Sequence, residues 1–334
     1  MRIRWVSMSN YREMAIAKAV GAGLARAMQK DSKVLVFGED VARLGGVFRV
    51  TEGLLDEFGE DRVFNSPIAE SGIVGTAIGL AMRGYRPVAE IQFDGFVFPA
   101  FNQITTQLAK LTYRSEGYLQ MPVVIRIPYG GGIGAVEHHS ESPEAYFAHT
   151  AGLRILAPSN PNDAYWQIQQ AIESPDPVIF FEPKRRYWQK GPVNLDTPPL
   201  PAHSARLLRE GSQVTLVCYG PMVATALQAA EIGAEEGVSI EVIDLRSLSP
   251  IDYPTVLVSA QKTGRVVVAH EAPTNVSLSS EIASRIGELA FYHLEAPVLR
   301  VGGFDTPYPP AKLEEEYLPD ADRILEAVDR VLAY

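Results

Sequence analysis

The sequence predicts a two-domain α/β protein, with a larger parallel-sheet unit first and a smaller unit of the same class after it. Three observations carry this. Short runs of β-branched and apolar residues alternate with amphipathic helical stretches, which is the rhythm of βαβ units. A proline-dense stretch of mixed charge, PKRRYWQKGPVNLDTPPLPAHS (183 to 204), interrupts that rhythm before it resumes. A chain of 334 residues, 46% hydrophobic and 21% charged, is long and apolar enough to bury two cores.

In the first unit KVLVFG, RPVAEIQF, PVVIRIP, LRILAPS and PVIFFEP read as buried strands, since near-continuous apolar runs mark strands covered on both faces. The stretches REMAIAKAVGAGLARAMQ, SGIVGTAIGLAMRG, FPAFNQITTQLAKLTYRS and NPNDAYWQIQQAIES read as the helices between them. The second unit repeats the pattern with the strands QVTLVCYG, SIEVIDL, RVVVAH and PVLRVGG. Its helices are PMVATALQAAEIGAEEG, DYPTVLVSAQKTG and LSSEIASRIGELAFYH. The expected division is 1–185 for the first domain, 186–204 for a linker crossing a surface, and 205–334 for the second domain. No period of 20 to 50 residues repeats, which excludes solenoids and propellers.

A formal net charge of -10 argues against a protein that holds nucleic acid or anionic membrane by electrostatics, because both need basic patches. Small acids and protein partners fit better. The single cysteine, Cys218, excludes a disulfide framework and a thiolate metal cluster within one chain, so a reducing, cytoplasmic setting is expected. MRIRWVSMSNYREMA lacks the apolar core and cleavage pattern of a signal peptide. The charge-free apolar run at residues 71 to 82 is too short and glycine-rich to span a bilayer.

Three local features point to chemistry. Glu70 stands at the mouth of the apolar run in NSPIAESGIVGTAIGLAMRG, at the expected start of a helix. The positive end of the helix dipole favours an acid there, so Glu70 reads equally as an ordinary first-turn carboxylate or as a group that hydrogen-bonds a ring nitrogen of a ligand. The loop YGGGIGAVEHHSESPEAYFAH follows PVVIRIP, and its Gly130, Gly132 and Ala135 match a loose dinucleotide pattern that would suit a nicotinamide dehydrogenase. No helix opens directly after these glycines; Ser142 and Pro143 look like the cap and first turn of the next one. In the same loop His138 and His139 lack metal-ligand spacing, and on an extended backbone one of them faces a pocket. A histidine there suits proton transfer near neutrality, or is simply a loop histidine satisfied by a neighbouring carbonyl. No phosphate-binding motif is present, nor a Gly-Asp-Gly followed by Asn for a magnesium diphosphate, so the chain looks unable to hold a ligand's phosphates alone.

Glu70 in RVFNSPIAESGIVGTAIGLA, with GEDVARLGGVFRVTEGL before it and EIQFDGFVFPAFNQI after it, resembles the beta subunit of the thiamine-diphosphate-dependent 2-oxo acid dehydrogenase component. HHSESPEAYFAHTAGLRILAPSNP, VIFFEPKRRY, VIDLRSLSPID, VVVAHEAP and GGFDTPYP extend the resemblance over nearly the whole chain. FFEPK, EVIDLRSLSP and HEAP are similar to the branched-chain enzyme more than to the pyruvate enzyme. The resemblance implies a thiamine-diphosphate-binding parallel-sheet domain of the transketolase pyrimidine type, then an α/β domain like the transketolase C-terminal domain. It implies a heterotetramer of two alpha and two beta chains, with diphosphate and magnesium (Mg2+) held mainly by the alpha subunit and the aminopyrimidine by this one. It further implies acyl transfer to the lipoyl group of an acyltransferase core. A pyruvate or acetoin dehydrogenase beta subunit, or a noncatalytic scaffold of the same fold, are the alternatives.

Residue by residue, the resemblance implies that Glu70 hydrogen-bonds the aminopyrimidine ring nitrogen and so activates the cofactor. Ile68 matches the apolar residue whose backbone lies along the pyrimidine. Phe96 takes the place of an aromatic, often tyrosine, that packs on the ring, and here the hydroxyl is lost. Gln92 falls at a substrate-pocket position, and Glu39 in the GED segment supports the pocket from behind. His139 matches the active-site histidine, while His138 has no counterpart in the chemistry. A structural potassium ion (K+) is implied near Val123, Val124, Ala171, Ser174 and Asp176, with one hydroxyl ligand of the family missing.

Overall fold

The computed structural model describes residues 10–198 and 200–334. The signal-peptide reading of the N-terminus falls mostly on residues 1–9, outside the described residues. Among the described residues fourteen strands follow in chain order. They are β1 (Tyr11–Ala15), β2 (Val34–Gly38), β3 (Val63–Asn65), β4 (Arg86–Glu90), β5 (Val124–Tyr129), β6 (Arg154–Leu156) and β7 (Val178–Pro183). After them come β8 (Lys190–Asn194), β9 (Arg206–Arg209), β10 (Val214–Cys218), β11 (Ile240–Asp244), β12 (Ser247–Ser249), β13 (Val266–Pro273) and β14 (Leu299–Gly303).

The larger sheet has seven strands in the order β12-β6-β7-β5-β4-β2-β3. All its pairings are parallel except β12 on β6. Strands β2, β5 and β7 are buried at every residue, as runs such as VLVFG require when helices cover both faces. The helices Ile16–Lys30 and Pro161–Glu173 pack against one another on one side, and Glu70–Met82 lies on the other. The smaller sheet, β14-β13-β10-β11-β9, is parallel apart from β9. Its apolar face is closed by Met222–Glu235 and by Ala321–Leu332, a helix that Asp320 caps by accepting from Arg323 N at 2.8 Å. Among the described residues no helix is long and apolar enough to cross a membrane.

Several expectations need correcting. REMAIAKAVGAGLARAMQ does not start as helix: β1 pairs antiparallel with β8, inside the expected linker, and the helix begins at Ile16. FPAFNQITTQLAKLTYRS is not one α-helix. A tight 3-10 segment, Asp94–Ala100, passes into a π-helical one, Gln103–Leu108, and only Ala109–Arg114 is α-helical. The hydroxyls of Thr105 and Thr106 donate to the carbonyls of Phe101 (2.8 Å) and Asn102 (2.7 Å), and such back-bonding loosens the ladder. Ser142 does not cap the next helix, Glu144–Ala148; Pro143 precedes it without a side-chain bond.

Glu144 is instead buried between the domains, where Tyr219 Oη donates to its Oε1 at 2.8 Å. Burial pushes its carboxyl up from 4.5 to about 7. A folded-state pKa above the unfolded one means that the fold binds this proton more tightly. The stability contribution is therefore complete below about pH 4.5, declines as pH rises towards 7, and is lost above it. Glu144→Gln keeps an acceptor for Tyr219 and cannot ionise. It should melt higher than the parent at pH 8, with the gain shrinking towards pH 5; a difference independent of pH would contradict this.

Candidate active site

The candidate residues gather at the carboxyl ends of neighbouring parallel strands, where open α/β sheets place ligands. Glu39 and Asp40 follow β2. Glu39 is 7% exposed and its Oε1 is buried without a partner among the described residues. Burial, then the charges of Glu70, Asp40 and Glu90, raise its carboxyl above the ordinary range. Beyond β3, Ala42 N bonds to Asn65 Oδ1 at 2.8 Å and Ser66 N to Gly38 O at 2.9 Å, tying the β3 exit to β2. Ile68 then stands 86% exposed, a large apolar side chain in the open, and Glu70 begins its helix half-buried.

After β4, Gln92 Nε2 donates to Asp40 Oδ2 at 3.2 Å, joining this exit to that of β2. Phe93 and Phe96 form the next wall. His139 lies flat on Phe93, with ring centroids 4.0 Å and planes 10° apart, and meets Phe96 edge-on at 5.0 Å. The two histidines are not on extended backbone as expected: Glu137–His139 is a 3-10 turn. His138 points outward, half-exposed, 3.7 Å from the Glu137 carboxylate. Thus Glu39, Glu70 and Gln92 form one group with Asp40, Phe96 and His139 form a second, and the segment 92–96 joins them.

Five charged residues beneath this surface escaped the sequence reading. Lys184, fully buried at the end of β7, pairs with buried Asp94 and donates to His139 O at 2.6 Å, so the histidine turn is pinned by its backbone. Burial raises Asp94 to about 6, against the pull of Lys184. The turn also lies close: a Cβ on Gly95 would stand 2.3 Å from His138 O, so only glycine fits there. Deeper still, Arg126 bonds to Glu182 through Nε (2.6 Å) and Nη2 (2.9 Å) and to Glu90 through Nη1 (2.6 Å). Burial opposes the guanidinium charge, but Glu182 and Glu90 outweigh it and raise its pKa. A charged residue ending an apolar strand, as in PVIFFEPK, was the available signal. Among the described residues no group of three or more His, Cys, Asp or Glu side chains could hold a metal ion.

Residues 12–189 match the family described as "Transketolase, pyrimidine binding domain", and residues 203–324 match "Transketolase, C-terminal domain". A solved structure titled "Split gene transketolase, inactive beta4 tetramer" has a TM-score of 0.77 at 26% identity, covering 96% of this chain and 99% of that one. The fold and its open strand ends therefore define a transketolase-type α/β protein. A "Pyruvate dehydrogenase E1 component subunit beta" from Leifsonia xyli subsp. xyli is 68% identical over 97% of this chain and 96% of its own. A "3-methyl-2-oxobutanoate dehydrogenase subunit beta" from Mycobacterium tuberculosis is 54% identical over 96% and 92%. The chain belongs to the family of 2-oxo acid dehydrogenase E1 beta subunits, enzyme components that work with an alpha subunit and are associated with thiamine diphosphate.

Proposed function

We propose that this chain supplies the pyrimidine half of a thiamine-diphosphate site in an assembly of two alpha and two beta chains, which decarboxylates a branched-chain 2-oxo acid and acylates the lipoyl group of an acyltransferase core. The observation that carries this is the pairing of half-buried Glu70, at a helix start, with Ile68 exposed to 86% on the same lip. A carboxylate beside an uncovered apolar side chain suits a flat heteroaromatic ring with a protonatable nitrogen. The unpartnered Glu39 Oε1 beneath it fits a supporting role. Diphosphate and magnesium fall to the alpha chain, in keeping with the absence of phosphate motifs here.

When bound, thiamine diphosphate supplies a carbon nucleophile and an electron sink for loss of carbon dioxide. Glu70 would hold the proton at the pyrimidine nitrogen. Ile68 and Phe96 would flank the ring, Phe96 by packing alone. Gln92 would face the substrate, with its amide held by Asp40. His139, gripped by Phe93, Phe96 and Lys184, would carry a proton as the acyl group moves to lipoyl. A potassium ion near Val123, Val124, Ala171, Ser174 and Asp176 belongs to the same proposal. Arg86 donates to the carbonyls of Ile172 and Ser174 there, which sets a guanidinium charge beside any ion that these two oxygens would hold. The division into residues 1–185, a linker 186–204 and 205–334, and a cytoplasmic setting for a chain with one buried cysteine, complete the reading.

The apolar wall of Phe93 and Phe96 favours the branched-chain substrate; the name of the relative at 68% identity favours pyruvate. Tagged chain purified from its native cells with its partner, and assayed with thiamine diphosphate, magnesium and an electron-accepting dye, separates them. The expected kcat/KM for 3-methyl-2-oxobutanoate exceeds that for pyruvate by about tenfold or more, the scale of discrimination that a few methyl groups allow. A preference for pyruvate keeps the mechanism and overturns the substrate. No activity on any 2-oxo acid points to a scaffold.

A further inference from the structure

Strand β5 runs out into Gly130-Gly131-Gly132-Ile133-Gly134, and Gly130, Gly132 and Gly134 have φ of 82°, 82° and 69°. Such a run has little stiffness of its own, yet it leads directly into the turn that carries His139. What holds it comes from the other domain. Glu314, 7% exposed, accepts from Gly132 N through Oε1 and from Gly134 N through Oε2, both at 2.8 Å. Tyr308 Oη donates to the same Oε1 at 2.7 Å and itself accepts from Gly132 N at 3.3 Å. Glu271, 3% exposed near the end of β13, accepts from Gly131 N and stands 3.1 Å from the Arg185 guanidinium.

The fit is close as well as polar. A Cβ on Gly131 would lie 1.8 Å from Tyr308 Oη, and one on Gly132 would lie 2.7 Å from Arg185 Cδ. On the far side of the turn the first domain takes over: Gly130 N bonds to Glu141 O at 2.8 Å, Glu141 N to Asp94 Oδ2 at 2.7 Å, and Lys184 to His139 O. The histidine turn is therefore gripped downstream by its own domain and upstream by two carboxylates and a phenol of the second. Ordinary domain packing needs apolar contact, whereas buried carboxylates are costly unless charge-assisted bonds satisfy them. Here both converge on one glycine loop.

We propose that Glu314 and Tyr308, together with Glu271, are positioning residues for His139: a clamp in the C-terminal domain that sets where the histidine turn stands. This rests on the proton-carrying role given to His139 above. The C-terminal domain then contributes to acyl transfer without touching the reacting atoms.

Glu314→Gln tests it, since glutamine keeps the shape but offers one acceptor oxygen for two backbone N–H groups. Tyr308→Phe removes only the phenol. Both variants are assembled with the alpha partner, checked for assembly and melting temperature, and followed by amide hydrogen exchange of residues 130–140, by dye-linked decarboxylation and by acylation of a lipoyl domain. Glu314→Gln should speed exchange in that segment about tenfold and lower the acylation kcat about tenfold more than the decarboxylation rate, the scale expected for a misplaced group. Tyr308→Phe should do the same to a smaller degree. Unchanged exchange overturns the clamp. Faster exchange with both rates lowered equally, or with neither lowered, leaves a clamp that serves the fold alone and overturns the positioning role. His139→Ala is run beside them: if it leaves acylation intact, the role given to the histidine has failed, and exchange still decides whether the clamp orders the loop.

Discussion

Glu70→Ala in the assembled enzyme should lower turnover of a 2-oxo acid by about 10²- to 10⁴-fold, the range lost when a positioned proton-transfer group is removed. The same variant should assemble normally and melt close to the parent. Glu70 is half-buried at the first residue of its helix and forms no salt bridge among the described residues, so the fold loses only its interaction with the helix dipole, about 0.3–1 kcal/mol. An ordinary first-turn acid predicts the opposite pattern, a small stability change and normal turnover. A variant that keeps kcat within about twofold would remove Glu70 from the chemistry.

Arg126→Met should have the largest effect on stability, about 3–5 kcal/mol in chemical denaturation, the scale measured for breaking a buried ion pair. The guanidinium is fully buried, and both carboxylates that it neutralises, Glu90 and Glu182, are buried with it. Tyr187 Oη donates to Glu182 Oε2 at 2.7 Å and cannot replace a charge. The consequence reaches the site, because Glu90 ends β4 and its charge already acts on Glu39. A loss below about 1 kcal/mol would mean that water or protonation of one carboxylate satisfies the cluster.

The parallel strands were legible because a strand covered on both faces is apolar along most of its length: VLVFG is so throughout, while VIRIPY and VIFFEP each carry one charge, Arg126 and Glu182, and the two pair with each other. What stayed hidden was decided by partners distant in sequence. YREMA has helical composition but becomes a strand because β8, more than 170 residues on, offers it an edge. SLS at 247–249 is short and polar, and it becomes an edge of the first sheet although it lies among residues of the second unit. The same holds at the site. Glu70, Gln92 and His139 stand in recognisable contexts, whereas Lys184, Asp94 and Glu314 take their meaning only from the backbone groups they reach.

Division of the active site between two chains is tested by measuring dye-linked oxidation of 3-methyl-2-oxobutanoate and of pyruvate, with thiamine diphosphate and magnesium, for the purified chain, for its alpha partner, and for the two together. A divided site gives turnover in the mixture and none from either chain alone. Turnover by this chain alone would show that it holds the whole cofactor, and would contradict the division of the site between two chains.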